Sequence, residues 1–265
     1  RINSAGQIVW GSTSTAKIAA IKNSPDANVE IWPGEVISDG KGGIFMSYYE
    51  IDQSFDSAAI YIQHIDSNGN RLMNAGGVKV AGNGYRMIRP VLVSDGGTGI
   101  ILGWLEDEYQ NSSYQYSEAF VQKFSSTGTP QWQNGGIQLC HADGLRRDIN
   151  LMPDGNNGAV AVFTDSRNSF PVNNLDDNMD LYAQRISNDG VLQWSPTGVP
   201  VSTRSLTQEL VKAIKQPDGQ GYLVCYSTNP GGRFTGGKEL YIQHLDNAGQ
   251  ITWQQDGSLI ATAGD

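Results

Sequence analysis

A motif that returns about every sixty residues restricts this chain more than any other feature. It reads YIQHIDSNGNRLM at Tyr61–Met73, FVQKFSSTGTPQW at Phe120–Trp132, YAQRISNDGVLQW at Tyr182–Trp194 and YIQHLDNAGQITW at Tyr241–Trp253, and a clipped RINSAGQIVW opens the chain. The glutamines Gln63, Gln122, Gln184 and Gln243 are spaced 59, 62 and 59 residues apart. Six residues after each comes a glycine (Gly69, Gly128, Gly190, Gly249), and four further on come Met73, Trp132, Trp194 and Trp253. Gly6 and Trp10 match them in the opening piece. A residue that recurs at one place in every unit builds the unit, whereas a reacting group is needed only once.

A second motif runs at the same period: SDGKGG from Ser38, SDGGTG from Ser94, PDGNNG from Pro153 and PDGQG from Pro217. Asp-Gly followed by more glycine marks a tight turn, because glycine takes positive φ without a steric penalty. The apolar runs IFMSY, IILGW, AVAVF and YLVCY follow, each ending on an aromatic: Tyr48, Trp104, Phe163 and Tyr226. They are short and bounded by glycine, so they read as buried strands. Each unit therefore spells four strands. Strand A precedes the Asp-Gly turn, B follows it, C carries the YxQ segment, and D carries the Trp and a GV or GI step. Self-similar four-strand units that bury one another's faces predict an all-β fold, a β-propeller of four-stranded antiparallel blades. Four complete repeats and a partial N-terminal one leave the ring at four or five blades. The expected organisation is a single propeller domain over 1–265, with repeats at about 1–25, 26–82, 83–142, 143–203 and 204–265. In strand C, Tyr182, Gln184 and Ile186 share one face. The glutamine reads as a buried amide tying strand C to backbone, and the Trp as a wedge between blades.

Composition narrows the partners. The chain has 265 residues and a net charge of −9, which disfavours a nucleic-acid partner, since phosphate binding needs clustered Lys and Arg. No apolar run approaches membrane-spanning length. The two cysteines, Cys140 and Cys225, lie in no metal-binding spacing, and whether they pair stays open. A start without Met, inside a repeat, is read as a piece of something longer.

The succession DGxGG, strand, aromatic, acidic loop, YxQRI, glycine turn, Trp and GV is clearest at Phe163–Trp194. It resembles the tandem propeller-type repeats of secreted and cell-surface proteins of Bacteroidetes, many of them associated with type IX secretion. The resemblance implies an extracellular or cell-surface location, a binding or adhesive role, and other domains or subunits of a larger assembly as neighbours.

Within such a blade the A–B and C–D turns share one end and the B–C and D–A loops the other. The second set is long and irregular here, so ligand binding is expected there, near the axis. The residues singled out as ligand-binding are Asp107, Glu108, Tyr109, Arg147, Asp165, Arg167, Asp176 and Phe234. Exposed rings beside carboxylates suit sugar faces and hydroxyls. Calcium favours oxygen clusters, and Asp165, Asp176 and Asp177 form the candidate set, although EF-hand spacing is absent and a solvated acidic rim explains the same residues; no other cofactor is expected. Arg86, Arg89, Arg146, Arg147 and Arg204 are placed at a channel mouth. His64 and His244 share a repeat position with Lys123 and Arg185, read as a surface slot for a basic residue. Glu118, Asp180 and Glu239 also share a position, read as structural. No GxSxG, HExxH or P-loop is present.

The expected function is a non-catalytic module, not an enzyme, that recognises a surface glycan or partner protein through the B–C/D–A face. The alternatives are a propeller glycosidase or lyase with its acid pair among Asp107, Glu108, Asp165 and Asp176, and a structural spacer.

Overall fold

The computed structural model describes residues 4, 5, 7, 9 and 10 and the stretches 21–54, 57–110, 113–169, 178–228 and 238–262. Sixteen strands form four antiparallel four-stranded sheets, and no helix occurs among the described residues. Blade 1 comprises β1 (Val29–Ser38), β2 (Ile44–Asp52), β3 (Ala58–Ile65) and β4 (Val78–Lys79). Blade 2 comprises β5 (Arg86–Ser94), β6 (Ile100–Gln110), β7 (Ser113–Phe124) and β8 (Ile137–Gln138). Blade 3 comprises β9 (Arg146–Pro153), β10 (Ala159–Asp165), β11 (Asp180–Ile186) and β12 (Val199–Ser202). Blade 4 comprises β13 (Gln208–Lys215), β14 (Tyr222–Thr228), β15 (Glu239–Leu245) and β16 (Ser258–Thr262). Strands pair in chain order within every sheet, the meander of a propeller blade.

The strand-C glutamine closes each blade. The buried Gln184 amide donates to Ser195 O at 2.6 Å, and its Oε1 accepts from Arg185 N and Trp194 N at 3.0 and 3.1 Å. Gln63 and Gln122 repeat all three bonds two blades and one blade earlier. Gln243 repeats the donation to strand D and the bond from its neighbour's N–H. One side chain thus satisfies backbone groups where the C–D ladder has thinned to two to five residues of strand D.

The strand-B aromatic packs within its own blade, over the glycine that opens strand D. A Cβ at Gly136, where φ is 81°, would stand 2.4 Å from the Trp104 ring. The strand-D Trp packs between blades. A Cβ at Gly190 would stand 2.9 Å from Trp132, and one at Gly249 2.7 Å from Trp194. Trp132 Nε1 also donates to Asn188 O at 2.9 Å, and Trp10 Nε1 to Ser67 O at 2.8 Å in blade 1. Only glycine admits so close an indole.

The basic position of strand C is buried at His64, Lys123 and His244 and half-buried at Arg185, which corrects its reading as a surface slot. His64, Lys123 and Arg185 reach the Asp-Gly turn of their own blade, at 3.1 Å from Asp39, 3.4 Å from Asp95 and 3.0 Å from Asp154. Each of these carboxylates also accepts two backbone N–H bonds inside the turn. In blade 4 the turn is one residue longer and Gln216 takes the place of the Asp, with His244 Nε2 at 2.9 Å.

The A strands stand side by side, β1 against β5, β5 against β9 and β9 against β13; no comparable packing joins β13 to β1. Each strand pair A–B carries a register shift midway, at Pro33/Val36, Ile88/Val91, Phe163/Asp165 and Leu210/Lys212. Such bulges redirect the side chains next to them.

Candidate functional site

The three junctions between consecutive blades are equivalent at the B–C/D–A end, and their contents differ. At the junction of blades 2 and 3, Arg146 from the first position of β9 is fully buried. Its guanidinium spans two carboxylates, with Nη1 at 2.9 Å from Glu118 and Nη2 at 3.1 Å from Asp165. It also donates to Gly144 O and Ala142 O at 2.6 and 2.7 Å. Arg167 Nη2 meets Asp165 at 2.6 Å, and the Cys140 thiol lies at 3.0 and 2.9 Å from the two guanidinium groups. Burial pushes the Glu118 carboxyl up to about 7, against the opposing pull of Arg146. Its Oε1 is held by Arg146, and its buried Oε2 has no hydrogen-bond partner.

At the junction of blades 3 and 4 the corresponding pair is Gln208 and Asp180. Gln208 Nε2 donates to Arg204 O and Leu206 O at 2.8 Å, as Arg146 does to its own loop. Burial raises the Asp180 carboxyl above its ordinary range. At the junction of blades 1 and 2 the same two positions hold Met87 and Ala59. Short apolar side chains leave a groove of about 470 Å3, lined by Ala58, Ala59, Val80, Tyr85, Met87 and Lys79.

Closer to the axis, the bulges of β5 and β9 turn Arg89 and Asp148 toward one another at 2.9 Å. Arg89, inside the bulge of β5, holds a φ of 55°. Both side chains keep contact with solvent, Asp148 at 26 %. Trp32 and Tyr49 of blade 1 lie next to them: their ring centroids are 6.1 Å apart, and Arg89 acts electrostatically on the Tyr49 hydroxyl. The axial end of the loop face therefore presents two aromatic rings, a guanidinium and a half-exposed carboxylate, with the Glu118–Arg146 pair behind β9.

The expected site residues do not form one cluster. Asp165 and Arg167 pair with each other inside the buried network. Asp107 is buried in a two-point pair with Arg86, at 2.6 and 2.9 Å. Glu108 follows it in β6, half-buried, and Tyr109 lies further along the same strand. Arg147 is half-buried in β9. Asp176, Asp177 and Phe234 lie outside the described residues. Among the described residues no three His, Cys, Asp or Glu side chains gather as a metal site. Cys140 and Cys225 are free thiols. Arg146, expected at an open channel mouth, is enclosed because it is the first residue of an inner strand with its own loop folded over it. Trp32 and Asp148 were not anticipated; a bulge leaves no mark in the sequence by which either could have been found.

No known family profile matches the chain, and no curated protein matches it in sequence. Its fold is similar to that of a thermostable family-43 glycoside hydrolase, at a TM-score of 0.51 and 15 % identity over 88 % of this chain and 78 % of that one. A mannose phosphorylase from Leishmania mexicana superposes with a TM-score of 0.47 and 10 % identity over 88 % of this chain and 69 % of that one. An exo-β-1,3-galactanase from Phanerochaete chrysosporium does so at 0.41 and 15 %, over 94 % and 52 %. The likeness to the glycoside hydrolase supports the propeller architecture. It also overturns the expectation of a non-catalytic binding or adhesion module that is not an enzyme. The four-stranded unit, which in the sequence resembled adhesive surface repeats, builds a fold that a carbohydrate-cleaving enzyme uses.

Proposed function

We propose that this protein is a propeller enzyme that cleaves a glycosidic bond at the axial end of its B–C/D–A face. The observation that carries this reading is Glu118. Glycoside cleavage needs one carboxyl that still holds its proton at working pH and a second that is ionised. Glu118, raised to about 7 by burial, has the first property. Arg146 fixes one of its oxygens at 2.9 Å. Asp148, two residues from Arg146 along the same strand and open to solvent, takes the second role. Trp32 and Tyr49 provide faces on which a sugar ring stacks, and Arg89 orients Asp148. No ion enters this scheme.

The resemblance to secreted repeats supports an extracellular or cell-surface setting of the type IX kind, with a glycan as substrate. No helix among the described residues is long and apolar enough to cross a membrane.

The test is incubation with a glycan library, with products followed by mass spectrometry. Intact glycans throughout would overturn the reading. Given a cleaved substrate, Glu118→Gln should abolish cleavage of natural linkages and spare aryl glycosides whose leaving group needs no proton. Asp148→Asn should lower both, and chelation of divalent ions should change neither.

A further inference from the structure

The junction of blades 1 and 2 ties its C–D turn by a different residue. Trp132 Nε1 donates to the Asn188 carbonyl in blade 3, and Trp10 Nε1 to the Ser67 carbonyl in blade 1. Ser126 holds the same turn position in blade 2, but the residue that reaches this turn is Met73, whose side chain has no N–H. His64 supplies the bond instead. Its Nδ1 lies 3.0 Å from Ser126 O, and its Nε2 lies 3.1 Å from Asp39 Oδ2.

Both partners are acceptors. A carbonyl oxygen has no proton to give. Burial acts to raise the Asp39 carboxyl, but the Lys41 N–H, His64 and the Gly43 N–H outweigh it and hold the group below its ordinary range, so it is ionised. Each ring nitrogen therefore needs a proton, which makes the ring an imidazolium. Lys123, the equivalent residue of blade 2, is a cation with the same reach: its Nζ lies 3.4 Å from Asp95 and 2.6 Å from Asn188 Oδ1 of the next blade. His244 of blade 4 needs no second proton, because the Thr252 hydroxyl at its Nδ1 can donate. Around His64, β2 contributes the Phe45 ring, stacked at 4.0 Å, and the facing turn of Ser125, Ser126, Thr127 and Gly128 has no charged side chain. In the turns of blade 1, Lys41 is exposed, Arg71 is half-buried, and Asp66 accepts from Asn68 and Asn70.

We propose that His64 is a proton-operated latch between blades 1 and 2. Protonated, it joins Asp39 to the Ser126 carbonyl. When the ring gives up its Nδ1 proton, a lone pair faces the carbonyl oxygen and the bond between blades is lost, while Nε2–H keeps Asp39. Histidine is the side chain that makes this change near neutral pH. Trp32 and Tyr49 stand on blade 1 and Arg89 on blade 2, so the latch also governs how firmly these parts of the site face one another. That consequence rests on the enzyme reading; the latch itself does not.

Nitrogen NMR of the imidazole in the whole chain should show both His64 nitrogens protonated at about pH 5, and Nε2 alone at about pH 8. Glu118 titrates as well, so stability is compared between variants at both pH values. His64→Lys installs the blade 2 residue and keeps its charge. From about pH 5 to about pH 8 the wild-type melting midpoint should fall about 3–6 °C further than that of this variant. His64→Gln, which carries no charge, should melt below wild type at about pH 5 and level with it at about pH 8. An unprotonated Nδ1 at about pH 5, or wild type and both variants falling in parallel, overturns the proposal. None of these readouts uses turnover, so the latch stands or falls apart from the enzyme reading.

Discussion

The junction of blades 2 and 3 and the junction of blades 1 and 2 share a backbone plan and have opposite contents. One encloses Arg146 between Glu118 and Asp165. The other sets Met87 beside Ala59 and stays open as a groove. The scaffold tolerates both because the bonds that close a blade lie elsewhere, in the glutamine, the turn aspartate and the two glycines of the C–D connection. Blade closure is thus separated from junction chemistry, and the junction is where one repeat can acquire a reactive group without disturbing the others.

The strongest challenge to that contrast is Arg146→Met, which puts the residue of the open junction into the closed one. Leaving Glu118 and Asp165 buried without the bridging cation should cost about 3–5 kcal/mol in urea unfolding. Adding Glu118→Ala, to complete the exchange, should recover part of that loss. A cost below about 1 kcal/mol for the single change would mean that the network contributes little to stability. Next in size is a pH effect confined to the closed junction. The folded pKa of Glu118 lies above its unfolded value, so the folded state keeps a proton that the unfolded chain has released. Stability from this group is full below the ordinary glutamate range and declines as pH rises through about 7. Folding stability should fall by about 3 kcal/mol over that window, and Glu118→Gln should flatten the profile.

The shared elements should respond alike in both blades. Gln122→Leu and Gln184→Leu each strand backbone groups at the C–D connection, and each should cost about 2 kcal/mol. Unequal losses would show that closure is not independent of the junction. The smallest effect belongs to the open groove. Ala59→Leu adds apolar volume to unoccupied space and should raise stability by up to about 1 kcal/mol, read as a shift of the melting midpoint.

Much of the architecture was legible because it is periodic. Glycine and aromatic positions repeated in every unit marked the turns, the strands and the between-blade Trp, and a glutamine held at one place in four strands could only be a backbone clamp. The strand-C basic position was misread for a reason of distance. His64 and Asp39 are 25 residues apart, and their pairing appears only when B and C lie side by side. The same holds for Asp107, whose partner Arg86 lies 21 residues away across the A–B pair. The acid network was harder still. Arg146, Glu118 and Asp165 come from two different blades, and nothing local distinguishes this arginine from its neighbour Arg147. The Arg89–Asp148 pair depends on bulges, which are a property of strand pairing and not of composition.

The glutamine clamp also bears on how the chain reaches this state. Each clamp joins residues only 11 apart, and the turns it stabilises are shorter still. The contacts that need long loops to close are the Trp seats, more than 50 residues from their acceptors. Local contacts form before distant ones, because the entropy of closing a long loop must be met first. Each blade can therefore take its own shape as it is synthesised, and the slow step is the docking of one finished blade on the next. That ordering keeps few strand edges open at any moment, which protects a β-rich chain from pairing with the wrong neighbour while it folds.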